Sequence, residues 1–124
     1  MIDFKNAAFM KLKSANDQTF MPALVPMLVE GEEIVGTYQS IRAGVVFTSK
    51  RIIVINIQGF SGKKVDYTSL PYKNIQAYSV VTAGVLDLDT ELDLWFSGLG
   101  KIRLEFVAQE NIAYICKMIS ENVL

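Results

Sequence analysis

The run Leu86–Phe96, LDLDTELDLWF, constrains the fold more than any other stretch of the chain. Leu86, Leu88, Leu92, Leu94 and Phe96 alternate with Asp87, Asp89, Glu91, Asp93 and Trp95. A period of two means a strand with one face in a core and the other in water. The alternation resumes after Ser97-Gly98-Leu99-Gly100, with Ile102, Leu104 and Phe106 on one side and Lys101, Arg103 and Glu105 on the other. For Leu94 and Ile102 to share a face, paired positions must sum to an even number. A three-residue Gly98-Leu99-Gly100 loop with Gly100 left-handed satisfies this and sets Arg103 across from Trp95, with Lys101 near it.

Upstream, the period of two begins at Glu33. Ile34–Arg42 predicts a first strand, Gly44 breaks it, and Val45–Ser49 begins a second. Arg51–Gln58 is nearly all β-branched, which predicts a strand buried on both faces or at an interface. Gly59 and Gly62 bracket a turn into Lys63–Leu70, Pro71 interrupts that run, and Tyr72–Thr82 gives one more strand. The last element, Gln109–Val123, carries Ile112, Ile115, Cys116 and Ile119 at helical spacing and predicts an amphipathic helix packed on the sheet. At the other end, Phe4, Ala8 and Leu12 fall on one stripe, which predicts a short helix over 3–15. Pro22 and Pro26 then punctuate the chain, and a helical turn around Leu24–Val29 ends near Gly31.

One domain's worth of chain, 124 residues with 51% hydrophobic and 20% charged, excludes disorder and can bury a core. Twelve basic against 13 acidic residues leave no bulk field to attract nucleic acid or a membrane. The chain has no histidine and one cysteine, Cys116, so it carries no internal disulfide, no zinc site of the usual histidine or paired-cysteine kind and no histidine catalysis. No cofactor or metal is expected. MIDFKNAAFM does not read as a signal peptide, and no apolar run approaches the roughly 18 residues of a membrane span. A cytoplasmic protein is expected, with at most peripheral membrane attachment.

The words FTSKRIIVINIQGFSGKK, SLPYKNI and AGVLDLDTELDLWFSG resemble the bacterial pleckstrin-homology-like domain family, whose pattern runs FTnKRiI, QGxtGKK, SiPYxxI and aGxfDlDaEL. The match covers roughly Glu33–Phe106 and departs at Ala43, Asn56 and Val81, where the pattern has acidic residues. The resemblance implies a mainly β fold: a seven-stranded, strongly bent antiparallel sheet or partly open barrel capped by the C-terminal helix. Residues 1–32 would be a helical lead-in and 33–124 the domain. It also implies no known catalytic activity and a tendency to form cyclic homo-oligomers. Neighbouring sheets in such rings meet edge to edge and share a polar surface for a protein partner.

Four groups of residues are candidates for that work. Ile53, Ile55, Ile57, Trp95 and Arg103 are read as an interface between copies or with a protein partner, since an exposed tryptophan is a common anchor. Trp95 also fits a surface ring stacked on arginine. The ladder Asp87, Asp89, Glu91 and Asp93 forms an acidic surface, with carboxylates roughly 6.5–7 Å apart and too far for tight chelation. It suits a basic partner or a solvated face neutralised by Arg103 and Lys101. Arg42, Lys50, Arg51, Lys63, Lys64 and Lys73 stand against the single acid Asp66 and offer an anionic-lipid or phosphate contact. The same cations could instead guard sheet edges against aggregation. QGFSGKK lacks phosphate-loop spacing and is followed by a strand, so it reads as a hairpin turn.

Overall fold

The computed structural model describes residues 1–5, 7–58, 64–81, 90–107 and 112–124. Its strands are β1 (Ala7–Ser14), β2 (Ile34–Gln39), β3 (Ala43–Thr48), β4 (Arg51–Gln58), β5 (Lys64–Pro71), β6 (Ile75–Val81), β7 (Thr90–Phe96) and β8 (Gly100–Phe106). A short helix α1 (Met21–Leu24) precedes β2, and α2 (Ile112–Val123) ends the chain. Single 3-10 turns lie at Val25–Met27 and Tyr72–Asn74. The strands form one curled sheet in the order β5-β4-β3-β2-β1-β8-β7-β6, antiparallel except where β1 runs parallel to β8. The half-barrel and capping helix match the expected fold class, with eight strands in place of seven.

The eighth strand is β1, and it corrects the helix expected over 3–15. Phe9 and Leu12 both point inward, but a bulge separates them in the pairing with β8. That extra residue turns an inward period of two into a step of three, which in sequence imitates a helical stripe. Pairing with β8 then overrides any local helix preference. Residues 1–5 also bond to the sheet. Ile2 donates its N–H to Thr68 Oγ1 of β5 at 3.2 Å, and Phe4 O accepts from Lys101 N of β8 at 3.3 Å.

Inside the curl lies the main core, where Ile52, Val54, Leu92, Leu94, Ile102, Leu104 and Phe106 are closed over by Ile115, Met118 and Ile119 of α2. The Tyr72 hydroxyl, wholly inside, sits 2.7 Å from Thr48 O and 3.1 Å from Met118 Sδ and ties the sheet corner to α2. Burial and the nearby Glu32 charge push its pKa far above the ordinary tyrosine value. A second cluster occupies the opposite face of β3 and β4. Leu24, Val46, Ile53 and Ile55 are buried there, with Phe20, Leu28, Ile34, Val65 and Tyr67 packed around them. The Phe20 ring lies on Gly44, where an added Cβ would stand 2.5 Å from it. Strand β4 is thus buried on both faces, as its β-branched run requires.

The β7–β8 hairpin keeps the expected parity but not the expected pairs. Phe96 pairs with Gly100, Leu94 with Ile102, Trp95 with Lys101 and Asp93 with Arg103. The loop is therefore Ser97-Gly98-Leu99, with Gly98 and Gly100 at positive φ. Gly100 is required for a second reason: a Cβ there would lie 2.8 Å from Phe4 O. Strand β6 starts at Ile75 because Tyr72–Asn74 form the 3-10 corner. The QGFSGKK turn with Lys63, and Asp87 and Asp89 of the ladder, lie outside the described residues.

Candidate functional site

One heavily bonded carboxylate is a group the sequence does not single out. Glu32 sits in the polar run Glu30-Gly31-Glu32-Glu33, yet its side chain is fully buried. Arg51 at the start of β4 donates Nε to Glu32 Oε2 at 2.9 Å and Nη2 to Oε1 at 3.0 Å. Thr48 Oγ1 donates to Oε2 at 2.6 Å and the Val29 N–H to Oε1 at 3.1 Å. Burial alone would raise the Glu32 carboxyl, but the bonds from Arg51, Thr48 and Val29 outweigh it and hold the group below its ordinary range. Arg51 also donates to Met27 O at 2.7 Å and to Ser69 Oγ at 3.0 Å. One guanidinium thus fastens the 25–32 segment to β4 and β5, directly after residues 20–28, whose Phe20, Leu24 and Leu28 cover Ile53 and Ile55.

This arrangement redistributes the basic residues. Arg51 is bonded to Glu32, Met27 O and Ser69 Oγ and keeps part of its side chain exposed. Lys50 and Lys73 line an open cavity of about 430 Å³ at the α2 end of the sheet, with Tyr72 and Asn122. Arg42 lies at the opposite end of β3, where its guanidinium donates to Ile57 O at 3.3 Å. Lys64 is exposed at the start of β5. The structure therefore brings Lys50, Arg51 and Lys73 to the wall of one cavity and places Arg42 and Lys64 at the other end of β4.

Ile53 and Ile55 are 0% and 2% exposed beneath the α1 segment, so they pack within the chain rather than facing a second copy. Ile57 is half-buried near the end of β4. Trp95 is exposed, with Lys101 Nζ 5.7 Å from its ring centroid, so its cation partner is lysine rather than the expected arginine. Arg103 instead grips Asp93, with Nε donating to Oδ1 at 2.8 Å and Nη2 to Oδ2 at 3.1 Å. Those bonds lower the Asp93 pKa against the opposing effect of burial. Asp93 is 5% exposed, which corrects the picture of a solvated ladder at that rung. Glu91, half-buried, stands 3.6 Å from Arg103 Nη1.

Chemistry is sparse. Burial raises the Cys116 thiol, so its nucleophilic form is disfavoured. Among the described residues, no three carboxylate or cysteine side chains converge as a metal site. No described helix is long and apolar enough to cross a membrane. The sheet ends at β5 and β6, each with one strand neighbour among the described residues. Beside the β6 edge, Val81 and Trp95 are 50% and 38% exposed.

Known proteins with this architecture are close at hand. A DUF1696 family protein with a pleckstrin-homology domain from Shewanella loihica PV-4 superposes with a TM-score of 0.82 at 37% identity, covering 93% of this chain and 99% of that one. A pleckstrin homology domain from Shewanella amazonensis SB2B gives 0.69 at 40% identity, covering 90% and 92%. The uncharacterised protein YjqA of Bacillus subtilis strain 168 is 41% identical over 99 residues, 78% of this chain and 79% of its own length. The bacterial PH domain family profile matches residues 3–123, which includes β1 and α1. The chain belongs to the bacterial PH domain family.

Proposed function

We propose that this domain is a non-catalytic module that assembles with copies of itself through its sheet edges and presents the joined surface to a protein partner. The observation that carries the reading is the open sheet: among the described residues β5 and β6 end it, each with one strand neighbour. Two different edges that complement each other make a head-to-tail contact, which closes into a ring when the rotation allows. Exposed Val81 and Trp95 beside the β6 edge supply apolar area for such a contact. The raised Cys116 thiol and the lack of histidine in the chain support the non-catalytic reading.

Light scattering coupled to size exclusion tests the assembly. The expected mass is several times that of one chain, and Val81→Lys with Trp95→Ala shifts it towards the single chain. A monomer at micromolar concentration, or an oligomer indifferent to both changes, removes the reading.

A further inference from the structure

The cavity at the α2 end of the sheet draws its wall from four separate stretches of the chain. The segment before β2 supplies Val29 and Glu32, the β3–β4 turn Lys50 and Arg51, the 3-10 corner Lys73, and α2 Asn122. A volume of about 430 Å³ is in the range of sites that hold small molecules. Charge in the wall does not cancel. Glu32 and Arg51 neutralise each other through two bonds, at 2.9 and 3.0 Å. Lys50 and Lys73 remain, both exposed and neither paired with a carboxylate among the described residues. Their backbones are held in place. Thr48 Oγ1 accepts from the N–H groups of Lys50 and Arg51 at 3.1 and 3.0 Å, and Tyr72 N donates to Lys50 O at 3.4 Å, joining the turn to the corner. Donors are left over as well. Arg51 uses four of its five N–H groups on Glu32, Met27 O and Ser69 Oγ, and Asn122 Nδ2 gives one of its two protons to Met118 O at 2.7 Å.

We infer that this cavity binds a small soluble phosphate monoester, its phosphate held between Lys50 and Lys73 and its organic part lying on Val29 and Pro71. The charge count selects the ligand class. Two positive charges stay uncancelled in the wall, and a phosphate monoester carries about −1.5 to −2 at pH 7. A single carboxylate would neutralise only one of them. Phosphate oxygens are acceptors, and charge-assisted bonds from ammonium and guanidinium groups are the strong ones. Val29, 55% exposed, and Pro71 give the same wall an apolar side. Glu121 of α2 belongs to the adjoining cavity, which shares Ser49 and Asn122 with this one, and adds no carboxylate to the wall described here. The Glu32–Arg51 pair acquires a second consequence: with its charge cancelled, the buried carboxylate does not repel an anion. A concave wall suits a whole small molecule better than a flat surface does. All of the wall comes from one chain, so the site does not depend on self-assembly.

The test is isothermal titration of the full chain with phenyl phosphate at about 0.15 M salt, where exposed charges farther apart than about 8 Å are screened. Phenol, which lacks the phosphate, is the control. Phenyl phosphate is expected to saturate one site per chain and phenol to give no binding. Lys50→Gln and Lys73→Gln should each weaken binding about tenfold or more, from the loss of one charged contact. Melting midpoints of both variants without ligand should stay at the parent value, since both side chains are exposed. Added phenyl phosphate should raise the midpoint of the parent and not that of the double variant. Lys64→Gln, at the far end of β5, should leave binding intact. No saturation by about 10 mM, weaker than two charged contacts predict, overturns the inference. So does parent-like binding by both the Lys50 and Lys73 variants, or an equal loss with Lys64→Gln, which would mean diffuse attraction. Sedimentation with phosphatidic acid vesicles identifies the source of the phosphate. Binding to those vesicles with no response to phenyl phosphate would place the monoester on a lipid, and the inference fails.

Discussion

Replacing Arg51 by methionine is expected to release the 25–32 segment from the sheet. The asymmetry of the pair sets the magnitude: the Glu32 side chain is fully buried, whereas Arg51 keeps 20% of its side chain in water. Without Arg51, Glu32 loses two charge-assisted bonds but remains where burial penalises its charge, and Met27 O and Ser69 Oγ lose a donor. Removing one partner of a buried ion pair costs about 3–5 kcal/mol. With an unfolding entropy of about 2.1 cal/mol/K per residue over 124 residues, that loss lowers the melting midpoint by about 12–19 °C. Glu32→Gln should cost less, about 1–2 kcal/mol, because water can still reach the abandoned guanidinium. Melting by circular dichroism at about pH 7 and about pH 5 gives the second readout. In the Arg51→Met protein, burial acts on Glu32 with its main opposing partner gone, so its folded pKa rises above the unfolded one. Acidification then neutralises the carboxyl, and the deficit relative to the parent shrinks at the lower pH. A loss under about 1 kcal/mol, or a deficit equal at both pH values, would refute the latch.

Two further outcomes bear on the hairpin that carries Trp95. Gly100→Ala should cost at least about 2 kcal/mol, since it adds positive-φ strain to a collision with the Phe4 carbonyl. Gly98→Ala, with open space around it, should cost about 1 kcal/mol, and equal losses in denaturant titrations would dismiss the Phe4 contact. Asp93 has its folded pKa held below the unfolded value by Arg103, so its contribution is present above about pH 4 and fades as pH falls through the lowered pKa. Asp93→Asn should therefore flatten the acid limb of the stability profile, and an unchanged limb would deny the pair that role.

Where the chain repeats a simple period, its structure was legible. Arg51–Gln58 is β4 residue for residue, and the inward set of β7 and β8 follows the alternation. Each misreading has its own cause. One bulge shifted the parity of β1, and no rule of spacing announces an unpaired residue in advance. The β7–β8 register moved because Gly100 extends β8 up to the approach of Phe4, a contact between positions almost a chain length apart. Glu32 was illegible for a different reason: beside Glu30 and Glu33 it looks like one more solvated acid, and only the fold shows Arg51 reaching it. The basic stretch from Arg42 to Lys73 splits in two, because the strands between its members carry Lys50, Arg51 and Lys73 to one end of the sheet and Arg42 and Lys64 to the other.

Burial of both faces of β4 changes where this domain can meet anything else. A β-branched strand with one bare face would attract other chains without selecting among them. Residues 20–28 cover that face, and the Glu32–Arg51 pair secures the segment that follows. Among the described residues the sheet then ends at β5 and β6, the edges of the proposed assembly. The two kinds of surface then respond to mutation with opposite signs. Blocking the β6 edge with Val81→Lys should shrink the assembly, whereas Arg51→Met should enlarge it, because uncovered Ile53 and Ile55 add a contact that no edge geometry limits. Light scattering on the two variants separates specific edge pairing from general stickiness: a fall in mass for both would mean that the covering segment itself belongs to the interface.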